Sequence, residues 1–154
     1  ALHGHRRVEQ DDWLWPRRGD WMARLDEVLQ DVTAGGAVLV AHSLGCQLVA
    51  AWAAHSGHTN RVRAALLVAP PDTEREDMPP NLLPWRPIVR QRLPFASTVV
   101  TSSDDPYGAP ERSAQMAREW GAERVDIGAR GHINGESGLG DWAAGRELLE
   151  QLRH

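Results

Sequence analysis

The chain has 154 residues and a formal net charge of −4, from 17 basic and 21 acidic side chains. That length fits one domain over residues 1–154, able to bury roughly 70% of its unfolded surface without staples. The acidic balance excludes the basic footprint of a nucleic-acid binder and the polybasic patch of a membrane-surface protein. A lone cysteine, Cys46, excludes an internal disulfide and a cysteine-based zinc site, and fits a cytoplasmic setting. No apolar run approaches the ~20 residues of a membrane span. The opening Ala1-Leu2-His3-Gly4-His5-Arg6 carries no apolar leader core.

In chain order, Arg7-Val8-Glu9-Gln10 reads as a short strand, followed by the loop Asp11-Asp12-Trp13. Asp20 is a good N-cap for a helix in which Trp21, Leu25, Val28, Leu29 and Val32 recur at helical spacing. Gly35-Gly36 ends that unit. Ala37 to Ala41 is a continuous apolar run of strand length, which suits a parallel strand covered on both faces. Leu44 to His55 reads as a helix, with Gly57 as its stop.

Ala64 to Ala69 is a second buried-strand run, halted by Pro70-Pro71. Residues 70 to 95 are rich in proline and charge and read as loop. Ala96 to Thr101 is the next strand, and Pro110 opens a helix to about Trp120. Arg124 to Ile127 is a short strand, 128 to 141 a glycine-rich loop, and Trp142 to Leu152 a closing helix. Alternating strands and helices predict a three-layer α/β/α sandwich with a mainly parallel sheet.

The chemistry concentrates at Ala41-His42-Ser43-Leu44-Gly45, between the strongest strand run and a helix. This is a small-x-Ser-x-small elbow, with Ala in the place of the first glycine of G-x-S-x-G. The turn is tight enough that the residues two positions either side of the serine must be small. Ser43 then stands above the sheet at a helix N-terminus, where the Leu44 N–H can stabilise an oxyanion. On such a fold the partners follow in the order serine, acid, histidine. Asp104 and Asp105 both lie in the loop after a late strand. Asp105, before Pro106, is the preferred acid, and Asp104 is the alternative or an Asx-turn former. His132, after the last strand and next to Gly131, is the candidate base.

With these residues in place, the chain resembles the small α/β-hydrolases of the YdeN-like and retinoblastoma-binding protein nine-like group. The resemblance rests on Val8 to Trp13, Val40 to Gly45, Ser102 to Tyr107, and the longer run Gly131-His132-Ile133-Asn134-Gly135-Glu136-Ser137-Gly138-Leu139-Gly140-Asp141-Trp142. It implies an α/β-hydrolase fold and places the family's Ser, Asp and His on Ser43, Asp105 and His132. The family begins with a further strand and a Pro-Gly-rich loop bearing a second oxyanion N–H, and this chain has neither. Without them two central sheet edges would stand unpaired, so an N-terminal segment of roughly 20 residues is expected to precede Ala1 by family comparison.

The remaining candidates have quieter readings. His42, Asp104, Trp13 and Asn134 are placed as pocket or support. Cys46 reads as core, and His55 with His58 lacks further metal ligands. Glu136 and Asp141 read as ordering the His132 loop, Asp141 also as an N-cap. Two functions follow. The first is an esterase-like serine hydrolase acting on a small acyl ester, with no cofactor or metal. The second is a non-catalytic scaffold, whose tryptophan loops and Arg86, Arg90 and Arg92 bind a protein or ligand. A homo-oligomer is compatible with either.

Overall fold

The structure is a computed structural model describing residues 4–154, so the reading of Ala1 to His3 lies outside it. Among the described residues four helices and four strands follow in the order α1 (Arg18–Leu29), β1 (Ala37–His42), α2 (Leu44–His55), β2 (Val62–Val68), β3 (Ala96–Thr101), α3 (Pro110–Trp120), β4 (Glu123–Asp126) and α4 (Ala143–Arg153). The strands form one sheet in the order β1-β2-β3-β4, and all three pairings are parallel. Parallel neighbours need a crossover, and here helices or long loops provide it.

The alternation of side chains across the sheet divides the core. Ala65 and Leu67 of β2 and Val99 of β3 face Cys46, Val49 and Ala50 of α2 and Met116, Ala117 and Trp120 of α3. Leu66, Val68 and Val100 face the opposite way, onto Leu148, Leu149 and Leu152 of α4. Helix α1 docks beside α2, with Trp21, Leu25 and Leu29 against Leu48 and Trp52. This is the expected three-layer sandwich. Strand β1 forms one edge, where Val40 is 60% exposed.

The segment 70–95 is irregular apart from a 3-10 turn over Pro80–Trp85. It is nonetheless pinned. Trp85 is fully buried, donates Nε1–H to the Pro16 carbonyl at 2.9 Å and meets the Trp21 ring edge-on at 5.3 Å. An ionic network adds to this. Arg112 of α3 reaches Asp72 at 3.0 Å and Glu74 at 2.6 Å, and Arg90 joins Glu74 to Glu119. Burial works to raise the Glu74 carboxyl. The Ile88 N–H and the guanidinium groups of Arg112 and Arg90 outweigh it and hold Glu74 below the usual carboxylate range.

Four local expectations are corrected. Arg7 to Gln10 is not a strand, because none of the described residues pairs with it to complete a ladder; Glu9 and Trp21 carbonyls accept from Arg24 and Gln10 side chains instead. Helix α1 starts at Arg18 after Arg17, which leaves Asp20 in the first turn, where its charge still suits the helix dipole. Gly57 is not the stop of α2; Ser56 leaves the helix in extended conformation, held by Asp26, which also accepts from Trp52 and His58. Asp141 does not cap α4, since Trp142 occupies that position in a left-handed conformation, φ 46°.

Candidate active site

The site sits at the carboxyl ends of the strands, where open α/β sheets place their ligand crevices. Strand β1 runs directly into Ser43, and α2 leaves directly after it. Ser43 has φ 57° and ψ −123°, a left-handed strained conformation for a residue with a side chain. Its N–H is held by the Val68 carbonyl at 2.8 Å. The elbow brings its two small residues together: a Cβ on Gly45 would stand in van der Waals contact with that of Ala41, at 3.4 Å. Leu44 opens α2, so its N–H belongs to the first-turn donors without an intrahelical partner.

The loop after β3 carries Asp104 and Asp105, and the loop after β4 carries His132. His132 Nε2 lies 2.8 Å from Ser43 Oγ, and its Nδ1 lies 2.9 Å from both carboxylate oxygens of Asp105. Nδ1 faces an acceptor, which assigns the proton to Nδ1 and leaves Nε2 to accept from the serine hydroxyl. Asp105 is 4% exposed at its side chain and also accepts the Tyr107 N–H at 2.9 Å.

Asp104 turns elsewhere. Its Oδ1 accepts from Gly131 N–H at 2.7 Å and from Ser102 Oγ at 2.9 Å. Those two bonds, the Gly131 one first, hold its carboxyl below the usual range. Adjacent aspartates thus divide the work: Asp105 meets the imidazole, and Asp104 ties down the loop that presents it.

The His132 loop has further anchors. Ile133 inserts into the α4-side core at φ 52°. Asn134 and Ser137 form a reciprocal capping box, and Ser137 Oγ donates to the Arg130 carbonyl at 2.6 Å. Among the described residues the Glu136 and Asp141 side chains make no such bond; Asn134 and Ser137 do the ordering. His42 Nε2 donates to the His132 carbonyl at 2.9 Å, so it braces the His132 loop from the Ser43 side.

A cleft of about 300 Å³ opens over Ser43, lined by Leu44, Tyr107, His132 and Asn134 and by the apolar Pro71, Met78 and Leu82. A second hollow, about 410 Å³, shares Tyr107, His132 and Asn134 with the first and is not lined by Ser43. Trp13 lines neither; it packs edge-on against Trp21 at 5.2 Å, with Arg7 over its ring. Arg86 and Arg90 are engaged within the fold, with Thr73, Glu74 and Glu119, rather than held out as a partner surface. Arg75, on the cleft wall, was not singled out in the sequence, because nothing in the irregular stretch around it sets it apart. Among the described residues no group of three metal-ligating side chains occurs, and no helix is long and apolar enough to cross a membrane.

Relatives agree with this architecture. A structure described as a YdeN-like hydrolase of Pectobacterium atrosepticum superposes with a TM-score of 0.79 at 25% identity, covering 96% of this chain and 75% of that one. The ydeN gene product of B. subtilis gives 0.73 at 20% identity, over 94% and 80%. A Bacillus cereus carboxylesterase shares the fold at 0.59 and 16% identity, over 96% and 67%. No match was found among curated proteins. The family model for serine hydrolases matches residues 1–151, and the chain belongs to that family.

Proposed function

We propose that this hydrolase cleaves small acyl esters with Ser43 as nucleophile, His132 as base and then acid, and Asp105 as the group that orients His132. One observation supports the reading most: the unbroken line from Ser43 Oγ through both nitrogens of His132 to Asp105, with every link between 2.8 and 2.9 Å. In the first half-reaction Oγ attacks the acyl carbon while its proton passes to His132 Nε2. The tetrahedral oxyanion forms beside the Leu44 N–H at the start of α2, where the helix dipole adds to its stabilisation. His132 returns the proton to the departing alcohol, leaving an acyl-Ser43 ester. Water, deprotonated by the same Nε2, then releases the acid and restores Ser43.

The cleft volume lies at the low end for ligand sites, which favours short acyl chains. The test is hydrolysis of 4-nitrophenyl acetate and butyrate. Ser43→Ala and His132→Ala should each lower kcat by about a thousandfold or more. Ser43→Ala turning over at the wild-type rate would overturn the reading.

A further inference from the structure

Arg75 lines the cleft over Ser43 together with the apolar Pro71, Met78, Pro79 and Leu82. Its guanidinium is held in place. Cζ lies 5.2 Å from the centre of the Tyr107 ring, and Nη1 donates to the Pro106 carbonyl at 2.7 Å. Tyr107 in turn meets the His132 ring edge-on at 4.6 Å, so a single aromatic ring separates this cation from the imidazole. The backbone beneath is fixed as well, since the Arg75 carbonyl accepts from Arg86 and Glu74 is locked by Arg112.

The charge of Arg75 is poorly answered. Its side chain is 23% exposed, and its counter-ion is Asp77, which is 80% exposed. The two approach at 3.0 Å through Nε, yet among the described residues Nε makes no hydrogen bond. Nη1 is the guanidinium nitrogen that forms a hydrogen bond among the described residues. Arg112, by contrast, is saturated by Asp72, Glu74 and Gln115. A cation set in an apolar wall with a solvent-exposed, displaceable partner is arranged to take an anion from outside.

We infer that Arg75 is the specificity determinant of this cleft, and that its preferred substrates are small esters carrying a carboxylate, which Arg75 binds while Ser43 attacks the ester carbonyl. This rests on the hydrolase reading above. Arginine suits the task because its planar fork matches a carboxylate.

The test compares two carbon-matched substrates, 4-nitrophenyl hexanoate and the mono-4-nitrophenyl ester of adipic acid, which differ only in a terminal methyl or carboxylate. The readout is the ratio of their kcat/KM values within each variant, so a general loss of fold or activity cancels. Wild type should favour the adipate ester. Arg75→Met should lower the ratio about tenfold or more, the scale of one lost charge-assisted bond. Arg75→Lys should keep part of the preference, and Asp77→Asn should raise it by removing the competing carboxylate. Wild type that turns over hexanoate without favouring adipate, or a ratio unchanged in Arg75→Met, would overturn the role of Arg75 and leave the hydrolase reading standing. Turnover of neither ester by wild type would overturn the role of Arg75, and the hydrolase reading falls with it only if 4-nitrophenyl acetate is left intact as well.

Discussion

Asp104 and Asp105 are neighbours in sequence and chemically identical, yet their carboxylates lie in different networks. Asp105 sits beneath His132 with both oxygens 2.9 Å from Nδ1, while Asp104 takes the Gly131 N–H. Asp105→Asn should therefore lower kcat by about 10⁴-fold, since an amide presents a donor to Nδ1 and favours the wrong tautomer. Asp104→Asn should cost far less, because an amide oxygen still accepts from Gly131. Steady-state kinetics on one aryl ester separates the two; equal losses would contradict the division. The sequence carried both candidates and the Asp-Pro cue toward Asp105. The contact that separates them spans 27 positions, and no local pattern encodes it. Arg75 was hidden for the same reason: its meaning comes from Pro106, Tyr107 and Ser43, all distant in the chain.

Among the elements, α2, β3 and α3 run over the residues their apolar patterns and Pro110 signal predicted. The failures share a cause. A strand needs a partner, so the Val8 stretch could not be settled from its own residues. A cap needs a particular backbone conformation, which Arg17 and Trp142 supply in place of Asp20 and Asp141. At α4, the Trp142 ring lies over Gly145 so closely that an added Cβ would come within 2.2 Å of it. Gly145→Ala should destabilise the protein by about 1–3 kcal/mol despite alanine's better helix propensity, measured by denaturant melts. No loss would mean that the ring swings aside freely.

The segment 70–95 depends on charge. Glu74 titrates below the usual range in the folded protein, so its contribution is fully present above about pH 4.5, the unfolded value, and is lost as pH falls through the lower folded value. Glu74→Gln should lower Tm at pH 7, and the gap from wild type should close as pH falls toward 3. A gap independent of pH would place the effect elsewhere.

Across the whole molecule, the layers meet at Cys46 of α2, which has no exposure and faces the sheet, with its Sγ 3.3 Å from the Val68 carbonyl. Burial pushes its thiol pKa up, so it should stay unreactive in the native state. Labelling by a chromogenic disulfide reagent should track the denaturant unfolding curve; rapid labelling of native protein would show that the α2 layer opens locally. The same layers carry the chemistry. The elbow after β1, the Asp105 loop after β3 and the His132 loop after β4 converge only because parallel strands deliver all three to one end of the sheet. The most direct measurement of that convergence is intact and peptide-level mass spectrometry after exposure to a fluorophosphonate. The expected result is one adduct, on the peptide containing Ser43, abolished in Ser43→Ala and strongly slowed in His132→Ala. A folded wild-type protein that gains no adduct, or gains it on another residue, would contradict the assignment of Ser43 as the nucleophile.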